Sequence, residues 1–406
     1  MKEYRLSDIL DIKHGFAFDG EYISSNDNGI VLVTPGNFKI GGGFQEDKCK
    51  FFYGEIPKEY ILEPGSFIVT MTDLSKGIDT LGYSAVIPKH RNRVYLHNQR
   101  IGLVNFISDE CDRGYIYYLM QTHTYQRSIA NSSTGSTVHH TSPTRIKEYC
   151  FVAPKLSQQR KISKILSAYD NLIENNQEQI KLLEEAAQRL YKEWFVDLRF
   201  PGYEITPVVD GVPEGWELCR LEDVIEFNPK IPLSKERLKQ SVPMSALSTS
   251  SMTLDTEEFA ATFSNSGSKF QNGDTLLARI TPCLENGKTA FVAGIESDEG
   301  AVGSTEFIVM RSKGLNPYMV YLLARDDSFR QSAINSMTGS DGRQRAQADK
   351  LKALPYLKPT DQITRLFAGY AEPIFLQIQK KNEQNVRLRQ ARDRLLPKLM
   401  SGEIEV

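Results

Sequence analysis

The sequence predicts an α+β protein: two similar mixed α/β domains, related by pseudo-twofold symmetry, are separated by two long antiparallel coiled-coil helices. Three observations predict this architecture. The chain of 406 residues repeats itself with a period of about 205 residues. Each repeat ends in a long segment of helix-forming composition. The remainder of each repeat alternates short apolar runs with turn residues, which is typical of strands.

The internal repeat rests on four pairs of similar strings that occur in the same order in both halves. In one pair, SIANSSTGS and SAINSMTGS, six of nine residues are identical. A solenoid repeat spans only a few tens of residues, so each repeat here is a domain with an appendage. The pairs are YRLSDIL (from Tyr4) and CRLEDVI (from Cys219), YIYYLM (from Tyr115) and YMVYLL (from Tyr318), SIANSSTGS (from Ser128) and SAINSMTGS (from Ser332), and IKEYCFVAPK (from Ile146) and LKALPYLKPT (from Leu351).

The first long helix is predicted from Ser157 to about Leu198, a segment without glycine or proline. Ser157 is the predicted N-cap residue, and a helix of this length is expected to be about 60 Å long. Side chains at alternate spacings of three and four form a coiled-coil seam with one polar amide. This seam consists of Leu166, Tyr169, Ile173, Asn176, Ile180, Leu183, Ala187, Leu190 and Trp194.

The second long helix is predicted from about Thr360 to Leu399, and Pro373 is expected to kink or interrupt it. Its seam has three polar members, so we expect it to pair with the stronger first helix, antiparallel because the halves are similar. The alternative is that both segments are core helices of an ordinary bundle, which their length disfavours. The second seam consists of Ile378, Lys381, Asn385, Leu388, Arg392, Leu395 and Leu399.

These patterns divide the chain into residues 1–153, a first globular domain; 154–200, a central long helix; 201–356, a second globular domain; and 357–406, a distal long helix. Within the globular domains, strands are predicted for runs such as GIVLVTPGN and GDTLLARITP. Helices are predicted at Gly114–Asn131 and Asn316–Asn335.

The composition excludes several classes of protein. The formal net charge of −2 gives no overall attraction to nucleic acid, so any such site must be a local basic surface. The five cysteines form no C-x-x-C pair, so we expect a reducing cytoplasm and neither a disulfide framework nor a metal site. The sequence lacks a signal-peptide pattern, and no apolar run is long enough to cross a membrane.

The sequence also lacks a recognisable catalytic constellation. The string Asn228-Pro229-Lys230-Ile231 lacks the second proline and the aromatic residue of an adenine methyltransferase tetrad, and no glycine-rich cofactor loop precedes Pro282-Cys283. No phosphate-binding P-loop is present. His139 and His140 are adjacent, so on a strand they face opposite sides and are poorly placed to hold one metal ion. The two halves are therefore predicted to be binding modules.

Several strings resemble the specificity subunits of type I restriction-modification systems. LSQQRKISKILSAYDNLIE (from Leu156) and LLPKLMSGEIEV (from Leu395) resemble their helical segments, and GDTLLARITPCLENGKTAFV (from Gly273) and STEFIVMR (from Ser304) resemble their target-recognition domains. The first half departs more, with MTDLSKGIDTLGYSAVI (from Met71) in the same place.

This resemblance implies a non-catalytic subunit that binds double-stranded DNA. Each target-recognition domain reads one half of a bipartite site, and the helices set the spacer and dock two adenine-methyltransferase subunits. Restriction subunits with translocase activity complete the complex, and S-adenosylmethionine, ATP and Mg belong to the partners. Three alternatives stay open: a recognition subunit of a related bipartite-site system that cuts outside its site, a self-contained DNA methyltransferase, and a scaffold that does not bind DNA.

Side chains that can read base edges or bind phosphate concentrate in two loop sets in each half. In the first half, the candidate DNA-binding residues are Asn37, Lys39, Thr72, Ser75, Lys76, Ser136, Thr137, His139, His140 and Arg145. In the second half, they are Arg279, Asn286, Lys288, Arg343, Gln344 and Arg345. The DGRQR loop of the second half is more basic than the TVHHT loop of the first, so the DNA site is expected to be asymmetric.

Overall fold

The structure is a computed structural model of the chain, and it describes residues 2–46, 49–75, 77–89, 92–340 and 342–406. The chain divides into two compact units. The first unit comprises Met1–Leu172 and Leu388–Val406, and the second comprises Ile173–Arg387. Helices and strands occur in both units, so the predicted mixed α/β class is confirmed.

The helices include two that are much longer than the others. Short 3₁₀ turns lie at Leu6–Asp8, Gly20–Tyr22, Pro35–Asn37, Lys58–Tyr60, Tyr203–Ile205, Met244–Ala246 and Thr256–Glu258. The α-helices are α1 (Arg113–Leu119), α2 (His123–Asn131), α3 (Pro143–Lys147), α4 (Leu156–Tyr191), α5 (Leu221–Val224), α6 (Pro317–Arg325), α7 (Asp327–Asn335), α8 (Ala348–Lys352) and α9 (Asp361–Ser401). A π-helical turn, Lys192–Val196, follows α4.

The strands are short and are distributed over both units. In the first unit they are β1 (Lys2–Arg5), β2 (Leu10–His14), β3 (Ile23–Ser24), β4 (Ile30–Val33), β5 (Lys50–Phe52), β6 (Ile61–Leu62), β7 (Phe67–Thr70), β8 (Thr72–Asp73), β9 (Ser84–Val86), β10 (Val94–His97), β11 (Ile101–Phe106), β12 (His139–His140) and β13 (Cys150–Ala153). In the second unit they are β14 (Val208–Val209), β15 (Val212–Pro213), β16 (Glu217–Arg220), β17 (Ile225–Phe227), β18 (Lys239–Val242), β19 (Ala260–Thr262), β20 (Ser268–Phe270), β21 (Thr275–Ala278), β22 (Thr289–Phe291), β23 (Ala301–Gly303), β24 (Phe307–Ser312) and β25 (Pro355–Lys358).

The main sheets of the two units share a strand order, as the internal repeat predicts, except that the first unit has an additional edge strand, β3. The first unit has an antiparallel sheet in the order β2-β11-β7-β9, and the second has β17-β24-β21-β22. A second sheet runs β3-β5-β4-β10-β6 in one unit and β19-β18-β23-β20 in the other. Each second sheet contains one parallel pair, β4 with β10 and β18 with β23. The terminal strands also pair alike, β1 with β13 and β16 with β25.

Each of the two helical ranges predicted within the globular domains contains two helices. A polar N-cap residue starts the second helix of each pair: Thr122 before α2 and Asp326 before α7. The Thr122 hydroxyl accepts a hydrogen bond from the Tyr125 amide, and the Asp326 carboxylate accepts from the Ser328 amide at 2.9 Å. Helices therefore occupy both predicted ranges, Gly114–Asn131 and Asn316–Asn335, and within each range a side-chain oxygen satisfies the amides of a second helix start.

The predicted seam of α4 faces the protein interior along its length. Its nine side chains, eight on α4 and Trp194 in the π-helical turn that follows, are all buried or half-buried. Leu166 packs with Ile162 and Leu399 in the core of the first unit. Ile180 and Trp194 pack in the core of the second unit. The seam side chains of α9 behave alike: Ile378 and Leu399 are buried, and Leu388 and Leu395 are half-buried.

Helix α9 continues through Pro373 without a break, so the expected interruption there is wrong. Proline removes one N–H donor from the helical ladder and crowds the preceding turn. Burial of Ala371, Phe375 and Ile378 on either side offsets this cost. Pro373 itself is exposed.

Polar contacts join α4 and α9 within each unit. In the first unit, Arg392 Nη1 donates to Asp170 Oδ1 at 2.6 Å, and the Tyr118 hydroxyl donates to the other Asp170 oxygen at 2.6 Å. In the second unit, Asn176 Nδ2 donates to Asn385 Oδ1 at 3.0 Å. Among the described residues, no helix is long and apolar enough to span a membrane.

Candidate nucleic-acid interface

In the first unit, the structure brings together two loops that lie far apart in the sequence. Strand β8 (Thr72–Asp73) pairs antiparallel with β12 (His139–His140), with His140 opposite Thr72. The Thr72 hydroxyl lies 3.1 Å from Nδ1 of His140. The strand-end turn and the TVHHT loop, which the sequence predicts separately, therefore form one surface. Thr72 is buried in it, so its side chain supports His140 rather than facing a ligand.

A buried carboxylate, Asp73, organises the turn of this surface. It accepts hydrogen bonds from the amides of Ser75 and Thr80, both at 2.6 Å, and from the Thr80 hydroxyl at 2.8 Å. Burial alone would raise the pKa of Asp73, but these hydrogen bonds outweigh it and lower that pKa. The sequence reasoning missed Asp73. The Thr-Asp-Leu-Ser string, which is typical of an Asx turn, is the signal that could have found it.

The remaining loop residues of the first unit differ in exposure. Ser136 and Thr137 are exposed, and Arg145 is half-buried in α3. The neighbouring Gly135 has φ of 105°, and a Cβ atom there would collide with the carbonyl oxygen of Val138. A left-handed glycine is thus required to form the turn that presents Ser136 and Thr137. Lys76 lies outside the described residues.

The two predicted residues Asn37 and Lys39 differ in their exposure. Asn37 is fully buried: its Oδ1 accepts from the Thr34 amide at 2.8 Å, and its Nδ2 donates to the Gln45 carbonyl at 3.1 Å. Its side-chain amide holds a 3₁₀ turn together, so the prediction that Asn37 contacts DNA does not fit its burial. Lys39 is exposed at the start of the Lys39–Gly43 turn.

The second unit also joins its two predicted loops. The Thr281 amide donates to the Gln344 carbonyl at 3.1 Å, and the Ala346 amide donates to the Arg279 carbonyl at 2.8 Å. The end of β21 and the DGRQR loop therefore lie side by side. Arg343 is exposed, whereas Gln344 and Arg345 are half-buried.

An ion pair between Arg345 and Glu306 lies on the surface formed by the end of β21 and the DGRQR loop. Arg345 Nη2 donates to Glu306 Oε1 at 2.7 Å, and Arg345 Nε donates to Oε2 at 2.9 Å. The hydrogen bond from Arg345 lowers the pKa of Glu306, and the nearby charge of Arg279 contributes to this. The sequence reasoning missed Glu306, which precedes β24 in the STEF string, because a glutamate is not an expected phosphate contact.

The turn between β21 and β22 presents a further polar group. Asn286 is exposed on it, and Lys288 Nζ donates to the Met244 carbonyl at 3.0 Å. Arg325 Nη1 fixes the turn by donating to the Gly287 carbonyl at 2.9 Å and to the Thr249 carbonyl at 3.1 Å. Asn286 is thus the outward-facing member of this set. In the described part of the chain, no group of three His, Cys, Asp or Glu residues is placed to hold a metal ion.

Comparison with known proteins gives a consistent picture. Residues 1–185 match a family model described as the type I restriction modification DNA specificity domain. The chain is similar to the specificity subunit of the type I restriction enzyme MjaIX from Methanocaldococcus jannaschii, with 27% identity over 321 residues that cover 72% of this chain and 69% of that protein. It is also similar to the EcoEI specificity subunit of Escherichia coli, with 30% identity over 171 residues. That match covers 41% of this chain and 29% of the Escherichia coli protein.

A solved structure shows the same fold. The S subunit of a type I restriction-modification system from M. genitalium aligns with a TM-score of 0.53 and 15% identity, covering 98% of this chain and 95% of that one.

Proposed function

We propose that this chain, which belongs to the type I restriction modification DNA specificity family, is a non-catalytic subunit that reads an asymmetric bipartite DNA site. Each unit would contact one half of the site through its joined loops. The observation that carries this proposal is the pairing of two polar loops in each unit, Thr72–Asp73 with His139–His140 and Thr281 with Gln344. Cations and amides that remain at least partly exposed beside hydrogen-bonded backbone are suited to base and phosphate contacts.

We further propose the division into residues 1–153, a first target-recognition domain; 154–200, a central helix; 201–356, a second target-recognition domain; and 357–406, a distal helix. The pair α4 and α9 would act as an antiparallel coiled-coil spacer. Contacts inside each unit support this: Asp170 with Arg392 in one, Asn176 with Asn385 in the other. The 36 residues of α4 span about 54 Å, which exceeds one DNA turn of about 34 Å.

The chemistry of the complex would reside in partner proteins. Two adenine-methyltransferase subunits carrying S-adenosylmethionine would dock on the helices, and restriction subunits using ATP and Mg would join them. Joining two weak readers on one chain raises affinity through effective concentration. The relatives named above are type I subunits, which favours this assignment over a related system that cuts outside its site.

Co-expression with its methyltransferase subunits in a host that lacks adenine methylation tests this function. Methylome sequencing is expected to show adenine methylation at one bipartite motif with two different half-sites. Methylation at a single uninterrupted motif, or none that depends on this chain, would contradict the proposal. Titration of the isolated chain with S-adenosylmethionine is expected to show no binding, and tight binding would favour a self-contained methyltransferase instead.

A further inference from the structure

We propose that Glu306 is a specificity-determining residue of the second unit, which positions the guanidinium of Arg345 against a base edge, and that Arg100 is its counterpart in the first unit. This inference rests on the proposed DNA-reading function and assigns it to one position in each unit.

Backbone hydrogen bonds establish that Arg100 and Glu306 are equivalent. The Met71 amide donates to the Arg100 carbonyl at 2.9 Å, and the Arg279 amide donates to the Glu306 carbonyl at 2.9 Å. Both residues immediately precede the long antiparallel strand of their sheet, Arg100 before β11 and Glu306 before β24. The two side chains therefore extend from the same place in the repeated fold.

The same pattern makes His140 equivalent to Arg345. The Thr134 amide donates to the His140 carbonyl at 3.0 Å, and the Thr338 amide donates to the Arg345 carbonyl at 3.1 Å. The reciprocal bonds also match, from His140 to Thr134 at 2.8 Å and from Arg345 to Thr338 at 2.9 Å. The residue that faces Glu306 in one unit is thus an arginine, and the corresponding residue in the other is a histidine.

The ion pair fixes the guanidinium in one orientation. Glu306 engages Nε and Nη2 of Arg345, and Nη1 donates to the Arg343 carbonyl at 3.3 Å. The side chains of Arg345 and Glu306 keep 41% and 22% of their surface exposed, so the pair remains accessible. A planar guanidinium held along one edge has its remaining N–H groups aimed in a fixed direction, which is the geometry that bidentate recognition of guanine requires.

The carboxylate also changes what this surface binds. It neutralises Arg345, so it weakens sequence-independent attraction to phosphate, and it is itself an acceptor suited to the amino group of cytosine. In the first unit, the exposed Arg100 supplies positive charge at the equivalent place. The two units therefore present opposite charges at one structural position, and they should prefer different bases there.

The experiment uses the full chain in complex with its methyltransferase subunits and compares E306Q with the wild type. E306Q is expected to accept additional bases in one half-site of the methylated motif and to leave the other half-site unchanged. Its affinity for non-specific duplex DNA is expected to rise severalfold. The slope of log affinity against log salt concentration is expected to steepen by roughly the amount of one phosphate contact. An unchanged motif and unchanged non-specific affinity would overturn the inference.

A charge swap separates positioning from a purely structural role. E306R/R345E retains an ion pair, so its thermal unfolding should stay near that of the wild type while its motif stays altered. If the swap restored the wild-type motif, Glu306 would only stabilise the loop and the inference would be wrong. R100Q is the matched control and should alter the opposite half-site. A wild-type complex without a bipartite motif would overturn the proposed function as well, whereas a bipartite motif unaffected by E306Q would overturn the inference alone.

Discussion

The side-chain amide of Asn176 on α4 donates a hydrogen bond to Asn385 on α9 across 3.0 Å, and both residues are buried. Asn385 also donates to the Ile173 carbonyl at 3.4 Å. Two facing buried amides satisfy each other in only one register, because a slip of either helix separates them. This pair is therefore expected to set the register of α4 against α9 in the second unit.

Replacing one member of this pair should be more harmful than replacing both. N385L leaves the Asn176 amide buried without its acceptor, which is expected to lower the free energy of unfolding by about 1–3 kcal/mol. N176L/N385L removes both amides and should recover much of that loss. Urea unfolding followed by circular dichroism measures both variants. Equal stabilities of the single and double variants would show that the two amides are not coupled.

An aspartate at Leu183 should destabilise the second unit. Leu183 is half-buried and packs against the core that contains Trp194 and Phe367. L183D places a charge in this apolar contact and is expected to cost about 3 kcal/mol and to impair assembly with methyltransferase subunits. L182D is a matched control, because the adjacent Leu182 is exposed and its substitution should leave the thermal unfolding temperature nearly unchanged. Similar unfolding temperatures for the two variants would contradict the seam assignment.

Glu184 should make the stability of the second unit depend on pH near neutrality. It lies buried on α4, where it accepts hydrogen bonds from the Met252 amide at 2.6 Å and the Ser251 hydroxyl at 3.2 Å. Burial raises the pKa of Glu184 to about 7, although the Met252 amide and the charge of Arg325 oppose this rise. The folded state therefore binds a proton more tightly than the unfolded state does.

The sign of this dependence follows from proton linkage. Between the unfolded pKa of about 4.3 and the folded value near 7, stability falls as pH rises, by an amount on the order of 3 kcal/mol. E184Q should flatten the dependence of the free energy of unfolding on pH. The stability of E184Q relative to the wild type should therefore be greater at pH 8 than at pH 5. Parallel profiles for wild type and E184Q between pH 5 and pH 8 would show that Glu184 does not titrate in this range.

Asp73 should affect recognition of the first half-site, because its carboxylate stabilises the turn in the candidate DNA-contacting surface. D73N keeps one acceptor oxygen and turns an NH2 group toward the donor of the other, either the Ser75 amide or the Thr80 amide, and it is expected to cost about 1–3 kcal/mol at pH 7. Hydrogen bonds lower the pKa of Asp73 despite its burial, so its contribution is present above the unfolded pKa and is lost as pH falls through the folded one. The difference between D73N and wild type should shrink in acid. If the complex containing D73N methylated a motif with an unchanged first half-site, the assignment of this loop to the DNA interface would be wrong.

Arg343 and Arg345 should contribute differently to DNA binding. Arg343 is exposed, so R343A is expected to weaken binding of the complex by about 1–3 kcal/mol for all sequences and to reduce the salt slope by about one. R345A should weaken binding to a similar extent but also relax the second half-site. R220A, at an exposed arginine of β16, is the control for lost charge. Unchanged binding and unchanged half-site preference in R343A and R345A together would exclude this loop from the interface.

The sequence by itself determined the duplication, the two long helices and the inward-facing seam. These features are encoded by period: similar strings recur about 205 residues apart, and side chains such as Leu166, Ile173 and Ile180 recur every three or four residues. Local chemistry was a weaker guide. It predicted an interruption at Pro373 that burial of the flanking side chains prevents, and it did not predict the caps that divide α1 from α2 and α6 from α7.

Only the tertiary structure decided which polar side chains are available to a ligand. Asn37 is buried in a turn, and Arg345 is bound by Glu306, which lies 39 residues away in sequence. Neither fact is visible in residue type, because exposure and ion pairing depend on which strands become neighbours rather than on spacing along the chain. The joining of β8 with β12, and of the end of β21 with the DGRQR loop, has the same origin: long-range backbone hydrogen bonds select the pairs.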